Sequence, residues 1–461
     1  MLKETVYNTK PFKIELTNEV IASNSGIAMA GLMLGSLEFT EALKPLSKTD
    51  THKDYKNIDI LKSYLGLLSL GKVNYEDIDQ FQDDSLFMSA IGLAQLPSKE
   101  TLRQRINDLS NTETERCIKE YNIRLIKEYG SLIPCCNSEF IPVDFDVSPF
   151  DNSGTHKEGV SCTYKMVDGY APMLTYIGGT GFMLNNQFRE GKAHSNCEGT
   201  SDYIRQTLEY ARAVTKEKLL CRFDSGNESV ENMNAIDAFD EVYYLMKKNF
   251  RRESTDKYIE FAKSEGCIQE NPRKGKMIYY HSKYVDLALK NEKGKKTGVV
   301  HTRLVVRLIE RTIDRKGQQF LIPEQEIDAW YTSLGVEYTE HRVIRFYEDH
   351  GTSEQFHSEF KTDMDMERLP SGKFATNSLV ITLGMLAYNI LRTIGTYALS
   401  SGMLNRKRSV KRIRIRKVLQ DIMYMACHFM VKCKRKTLKL ATVNVFASPF
   451  MFAYNQLAWV T

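Results

Sequence analysis

Phe140-Ile141-Pro142-Val143-Asp144-Phe145-Asp146-Val147 is the point at which the apolar pattern of this chain changes from a helical period to a period of two. A strand of this pattern sends alternate side chains to opposite faces, so Asp144 and Asp146 share one face. Upstream, residues 1 to about 130 are helical in pattern. Asn57 to Leu70, Tyr75 to Gln82 and Asp84 to Ile91 have helical apolar spacing, and a further helix opens at Ser98. Ser98 is its N-cap, Glu100 favours its first turn, and Thr101, Arg103, Gln104 and Arg105 make an exposed polar face. This arrangement fits a helix-turn-helix and, with equal weight, a plain helical bundle.

Downstream, Gly159 to Val167 and Met173 to Ile177 are strand candidates, set off by the loop Asp151 to Gly154 and the turn Asp168 to Pro172. Thr200 or Ser201 caps a helix to about Val214. A buried strand, Lys218 to Phe223, then ends at Asp224. Ser225-Gly226-Asn227 turns into a helix from Glu228 to about Phe239, and Glu241 to Met246 is the next strand. The order β-β-β-α-β-α-β is that of an RNase H-like core in an α/β protein. Residues 250 to 345 leave this alternation for a β-rich insertion with basic loops at Asn271 to Lys276 and Asn291 to Lys296. Five regions follow: a helical N-terminal DNA-binding region (1–130), the core's first part (131–249), the insertion (250–345), the core's second part (346–400) and a basic C-terminal DNA-contacting region (401–461).

The 461 residues, 42% hydrophobic and 26% charged, fit a soluble globular chain of about two to four domains. No secretory signal follows Met1. The apolar run Leu379 to Leu391 is broken by Thr382, Gly384 and Asn389, and is expected to be a buried helix with no membrane role. Nine cysteines, an odd number without a CxxC pair, suggest neither a disulfide framework nor a zinc ribbon and fit a reduced, cytoplasmic setting. Charge is unevenly placed: residues 401–461 carry +12, whereas the rest carries −7. That asymmetry points to a polyanion, with DNA favoured over RNA or a merely solvated charge run.

Near the end of the chain, Tyr347-Glu348-Asp349-His350-Gly351-Thr352-Ser353-Glu354-Gln355-Phe356-His357-Ser358-Glu359-Phe360-Lys361 reads as the approach to a helix beginning at Thr352. Thr352 and Gln355 have capping-box spacing, and Glu354, His357, Ser358 and Lys361 fall on one face. Acids on the first strand (Asp146 or Asp144), at the end of the fourth (Asp224) and on this late helix (Glu354) form a set that a two-metal site needs. Carboxylates held together repel by about 4 kcal/mol at 4 Å and an effective dielectric near 20. Two Mg²⁺ or Mn²⁺ ions would offset this and activate a water or 3′-hydroxyl for displacement at phosphorus.

These residues resemble the DDE transposases of bacterial insertion sequences, in the cut-and-paste group with the signature Tyr-(2)-Arg-(3)-Glu-(6)-Lys. Tyr347, His350, Glu354 and Lys361 match that spacing at every step, with His350 where the group has Arg. Asp146-Val147-Ser148 resembles the motif of the first acid, with Asp144 as runner-up. Cys221-Arg222-Phe223-Asp224-Ser225-Gly226 resembles that of the second, and Gly372 to Asn377 extends the similarity. The resemblance implies that Asp146, Asp224 and Glu354 are catalytic and hold the metals, that Lys361 binds a phosphate, and that Tyr347 and His350 position the 5′ side or a flipped base. It further implies a transposase cutting double-stranded DNA at inverted-repeat ends, joining them to target DNA, synapsed as a homodimer and nucleoid-associated. The insertion would support a hairpin at the cut end. Candidate DNA contacts are Arg103, Arg105, Lys274, Lys276, Arg406, Lys407, Arg408, Arg412, Arg414 and Arg416. Trp330 is a stacking candidate but is favoured as a core aromatic. The alternatives are a domesticated or inactive copy that only binds DNA, and an RNase H-like nuclease cutting RNA–DNA hybrids.

Overall fold

The computed structural model describes residues 17–459 apart from 51–53, 134–138, 252, 291–293, 315 and 405–409. Arg406, Lys407 and Arg408, and part of the loop Asn291 to Lys296, therefore lie outside the described residues. The N-terminal part contains α1 (Ile27–Ser36), α2 (Asn57–Ser69), α3 (Lys99–Asp108) and α4 (Thr112–Glu128). Ser98 Oγ accepts the Thr101 N–H at 3.2 Å and starts α3, while Asn111 Oδ1 accepts that of Thr114 at 3.0 Å and starts α4. On α4, Ile118, Tyr121 and Leu125 recur at three and four residues and are buried.

A nine-stranded mixed sheet forms the centre. Its strands are β1 (Ile141–Val147), β2 (Met173–Ile177), β3 (Phe182–Gln187), β4 (Leu219–Phe223), β5 (Val242–Lys247), β6 (Ile268–Arg273), β7 (Lys276–Lys290), β8 (Lys296–Ile313) and β9 (Gln319–Thr332). They lie in the order β6-β7-β8-β9-β5-β4-β1-β2-β3. β1, β4 and β5 run parallel, whereas β2 and β3 meander antiparallel from β1. Gly178 and Gly181 take φ +78° and +72° between β2 and β3, a conformation that a side chain would strain. Helices α5 (Thr200–Val214) and α6 (Val230–Asp237) connect the parallel strands.

The chain then forms α7 (Glu340–Glu348), α8 (Ser353–Ser358) and α9 (Phe374–Ser400). α9 is long and apolar enough to cross a membrane, but 83% of its most apolar window is buried inside the protein. It packs against α2, α4 and β3. Asn389 ties these layers: its Nδ2 donates to Asn122 Oδ1 at 2.7 Å and to the Met183 carbonyl at 2.8 Å, and its Oδ1 accepts the Met183 N–H at 2.8 Å. One apolar cluster joins the N-terminal helices, α9 and the C-terminal segment. That segment holds a hairpin of β10 (Cys427–Lys432) and β11 (Arg435–Leu440), and ends in α10 (Ala447–Trp459).

Two expectations are corrected, and the attachment of the insertion is added. Gly159 to Val167 contributes no strand to the main sheet; Ser161–Cys162 pairs with Asp168–Tyr170 in a separate three-stranded sheet. The third strand of the meander is instead β3, which is buried on both faces except at its end and so shows no alternation. The insertion is a continuation of the central sheet, joined where Trp330, Tyr331 and Thr332 of β9 pair with β5. Finally, the late helix does not start afresh at Thr352: α7 passes through a 3₁₀ turn, Asp349–Thr352, directly into α8 at Ser353.

Candidate active site

Register brings the strand acids level. Asp144 pairs with Arg222 and Phe145 with Phe223 across parallel β1 and β4, so the next step along each strand reaches Asp146 and Asp224. The alternation that puts Asp144 beneath Asp146 likewise puts Arg222 beneath Asp224. Asp144 is consequently occupied. Its Oδ1 accepts from Arg222 Nε at 2.6 Å, its Oδ2 from Arg222 Nη2 at 2.7 Å, and His350 Nδ1 lies 2.9 Å from Oδ1. Burial pushes its carboxyl up, but Arg222 and His350 outweigh this and hold it at about 2. Asp144, the alternative first acid, is thus a structural counter-ion. His350, in the 3₁₀ turn, is placed by that carboxylate.

Asp146, Asp224, Tyr347, His350, Glu354 and Lys361 line one cleft of about 620 Å³. Burial raises the Asp146 carboxyl, and His357 and His350 bring it below the usual range. His357 Nε2 stands 3.2 Å from Asp146 Oδ2 without hydrogen-bond geometry, so its effect there is electrostatic. Asp224 is raised, first by burial and then by the charge of Asp146. Its Oδ1 accepts from Asn227 Nδ2 at 2.6 Å and Gly226 N at 3.1 Å, and its Oδ2 has no protein partner among the described residues. Glu354 is exposed and also lacks a partner there. The Tyr347 phenol is pushed up by burial and by Asp224 and Asp146.

The divalent ion that the family resemblance implies fits this donor set. Three carboxylates of hard oxygen face one cleft, two of them repel, and oxygens are left free for a cation. Among the described residues, no three His, Cys, Asp or Glu side chains stand grouped closely enough to hold a metal ion together.

The expected polar stripe on α8 divides. Glu354 is exposed in the cleft, whereas His357, which also lines it, is only 5% exposed and meets the Tyr176 ring edge-on at 5.1 Å. After Ser358 the helix widens into a π turn, Glu359–Asp363, with the Met364 N–H reaching the Glu359 carbonyl. Glu359 is buried and receives Arg392 Nη2, Arg412 Nη1 at 2.9 Å and the Ile415 N–H at 3.2 Å. This anchor fixes the segment between Glu354 and Lys361 onto α9. Lys361 itself is held by Glu367 Oε1 at 2.9 Å and the Pro149 carbonyl.

Several candidate DNA contacts have partners within the protein. Arg105 donates to the Tyr55 carbonyl at 2.9 Å and to Asn57 Oδ1, fastening α3 to the start of α2. Arg412 serves Glu359, and Arg414 and Arg416 serve Asp363 at 2.7 and 3.3 Å. Trp330 is 1% exposed and packed between Tyr347 and Arg307, so it offers no stacking surface. Arg103 is exposed but held by Glu100. Lys274 and Lys276, at the turn between β6 and β7, have no acid partner among the described residues.

Residues not anticipated also line the cleft. Tyr164 donates its hydroxyl to the Val147 carbonyl at 3.2 Å, with Lys165 beside it and Glu367 beneath Lys361. Arg222 had a signal in its alternation with Asp224; Tyr164 and Glu367 had none, because distant segments bring them in.

A model of the transposase DDE domain, group 1, matches residues 5–460 of this chain. Among solved structures, a cryo-EM structure of a piggyBac transposase synaptic complex with hairpin DNA is similar at 10% identity and a TM-score of 0.38, over 87% of this chain and 80% of that one. None of the curated proteins matches the chain.

Proposed function

The chain belongs to the family of the transposase DDE domain, group 1, and on that premise we propose that it excises its element by cutting both ends and inserts it into target DNA. One observation carries this reading: Asp146, Asp224 and Glu354 line a single cleft together with Lys361. The strand order β3-β2-β1-β4-β5, with β1, β4 and β5 parallel, supports an RNase H-like core.

Asp146, Asp224 and Glu354 would hold two Mg²⁺ or Mn²⁺ ions. When bound, such ions supply the activated water or 3′-hydroxyl and neutralise charge at phosphorus. The protein's own part is positional. Arg222 neutralises Asp144 beneath the site, and Asp144 in turn orients the His350 ring toward the cleft. Lys361 is the cation for a phosphate beside the scissile bond, and Tyr347 and Tyr164 present aromatic surface at the rim. A homodimer would synapse the two inverted-repeat ends.

The test is cleavage of a labelled duplex carrying a transposon end, with and without Mg²⁺. Asp146→Ala, Asp224→Ala and Glu354→Ala are each expected to abolish Mg²⁺-dependent cutting while duplex binding persists. Undiminished cutting by any of the three would overturn the assignment.

A further inference from the structure

We propose that the C-terminal hairpin of β10 and β11 is a duplex-DNA-binding ribbon. This inference rests on the reading of the chain as a DNA transposase. The hairpin is amphipathic in an unusual sense. Alternation puts Cys427, Phe429, Leu438 and Leu440 on the inner face, where the two on β10 are each 4% exposed and the two leucines are partly buried against the main apolar cluster. The outer face carries His428, Met430 and Lys432 on β10 opposite Lys439, Thr437 and Arg435 on β11. Lys432 and Arg435 are direct cross-strand partners, an arrangement in which like charges repel. The turn between them, Cys433-Lys434, has φ +47° and +64°, matching the tight turn that follows the twist of a two-stranded ribbon.

What singles out this hairpin is the absence of compensation. Asp421 is the last acid in the sequence. Among the described residues, no carboxylate pairs with Lys432, Lys434, Arg435, Lys436 or Lys439, although Lys436 reaches the Ser89 carbonyl at 3.3 Å from the inner side. The arginines before it behave oppositely, since Arg412, Arg414 and Arg416 neutralise Glu359 and Asp363. Among the described residues of the C-terminal region, the hairpin thus gathers five basic side chains without an acid partner. β11 is the outer strand of its small sheet, with β10 between it and Ile21–Ala22, so the ribbon is open on its β11 side. A polyanion with regularly spaced charge satisfies such a face, and a two-stranded ribbon has dimensions that the major groove of a duplex accepts.

The experiment titrates a fluorescein-labelled duplex with the full chain at increasing salt, comparing wild type with a Lys432→Gln/Arg435→Gln/Lys439→Gln variant. Loss of these phosphate contacts is expected to weaken binding by at least about tenfold at physiological salt and to flatten the log–log salt dependence by roughly two to three units. A Lys432→Arg/Lys439→Arg variant, which keeps the charge, is expected to bind as wild type does, and thermal midpoints of all three report folding. If wild type binds the duplex and the folded glutamine variant binds it with the same affinity and salt slope, the hairpin is not the contact. The same conclusion follows if the variant loses affinity only for single-stranded RNA. A wild-type chain that binds no duplex at all would instead overturn the transposase reading on which the proposal stands.

Discussion

Arg222 and Asp144 form a two-bond ion pair at the centre of the sheet, with side chains 2% and 3% exposed. They are register partners on parallel strands, so the backbone sets their geometry. A buried pair of this kind gains little net stability, but removing one member strands the other charge. Asp144→Leu and Arg222→Met are each expected to cost about 3–5 kcal/mol, and the double replacement Asp144→Leu/Arg222→Met is expected to recover most of it. Urea unfolding of the single and double variants measures this. Purely additive losses would show that the coupling is not the source.

The same pair makes stability depend on acid. The Asp144 carboxyl is held at about 2 in the folded chain, below the roughly 3.9 of a free aspartate. As pH falls, the unfolded chain takes up this proton first. The contribution is therefore complete above about pH 4 and is lost as pH falls through about 2. Thermal midpoints across that window are expected to fall more steeply for wild type than for Asp144→Leu/Arg222→Met. Parallel curves would assign the acid sensitivity to other carboxylates.

Asp224 has the opposite balance: burial and the charge of Asp146 oppose its ionisation and outweigh the help of Asn227, His350 and the Gly226 N–H. Asp224→Asn is expected to stabilise the metal-free chain by about 1 kcal/mol while abolishing DNA cleavage, a trade common at functional sites. Mg²⁺ is expected to raise the thermal midpoint of wild type by mass action and to leave that of the variant nearly unchanged. Equal Mg²⁺ responses in calorimetry would place the cation elsewhere.

The strands β1, β2, β4 and β5 were legible because their apolar runs end in turn residues. β3 was not, since burial on both faces removes alternation. β9 was not legible either, because its outer half, Gln319 to Glu326, is exposed and has no apolar rhythm. At the site, fixed spacing reached Tyr347, His350, Glu354 and Lys361, and strand ends reached Asp146 and Asp224. Their partners depend on register and tertiary packing: Arg222 meets Asp144 from 78 residues away. Charge counting meets the same limit. It found the basic C-terminal region, but whether Arg414 faces solvent or Asp363 is decided by a fold that brings together residues 51 positions apart.

Lys361 is the site cation with a competitor built in. Its Nζ lies 2.9 Å from Glu367 Oε1, and both side chains are partly exposed at 20% and 29%. A phosphate arriving at Lys361 must displace or share with Glu367, whose Oε1 also accepts the Asp151 N–H at 3.1 Å. Glu367→Gln keeps an acceptor for Asp151 and removes the charge. It is expected to tighten binding of a duplex end by about two- to fivefold, the range of a partly exposed ion pair. Lys361→Gln is expected to weaken the same binding, and adding Glu367→Gln to it should change nothing further, since the competition needs the lysine. Fluorescence anisotropy with the wild type, both single variants and the double variant closes the cycle. An equal gain from Glu367→Gln in the presence and absence of Lys361 would mean that Glu367 repels the DNA directly, and the gating of Lys361 by Glu367 would be wrong.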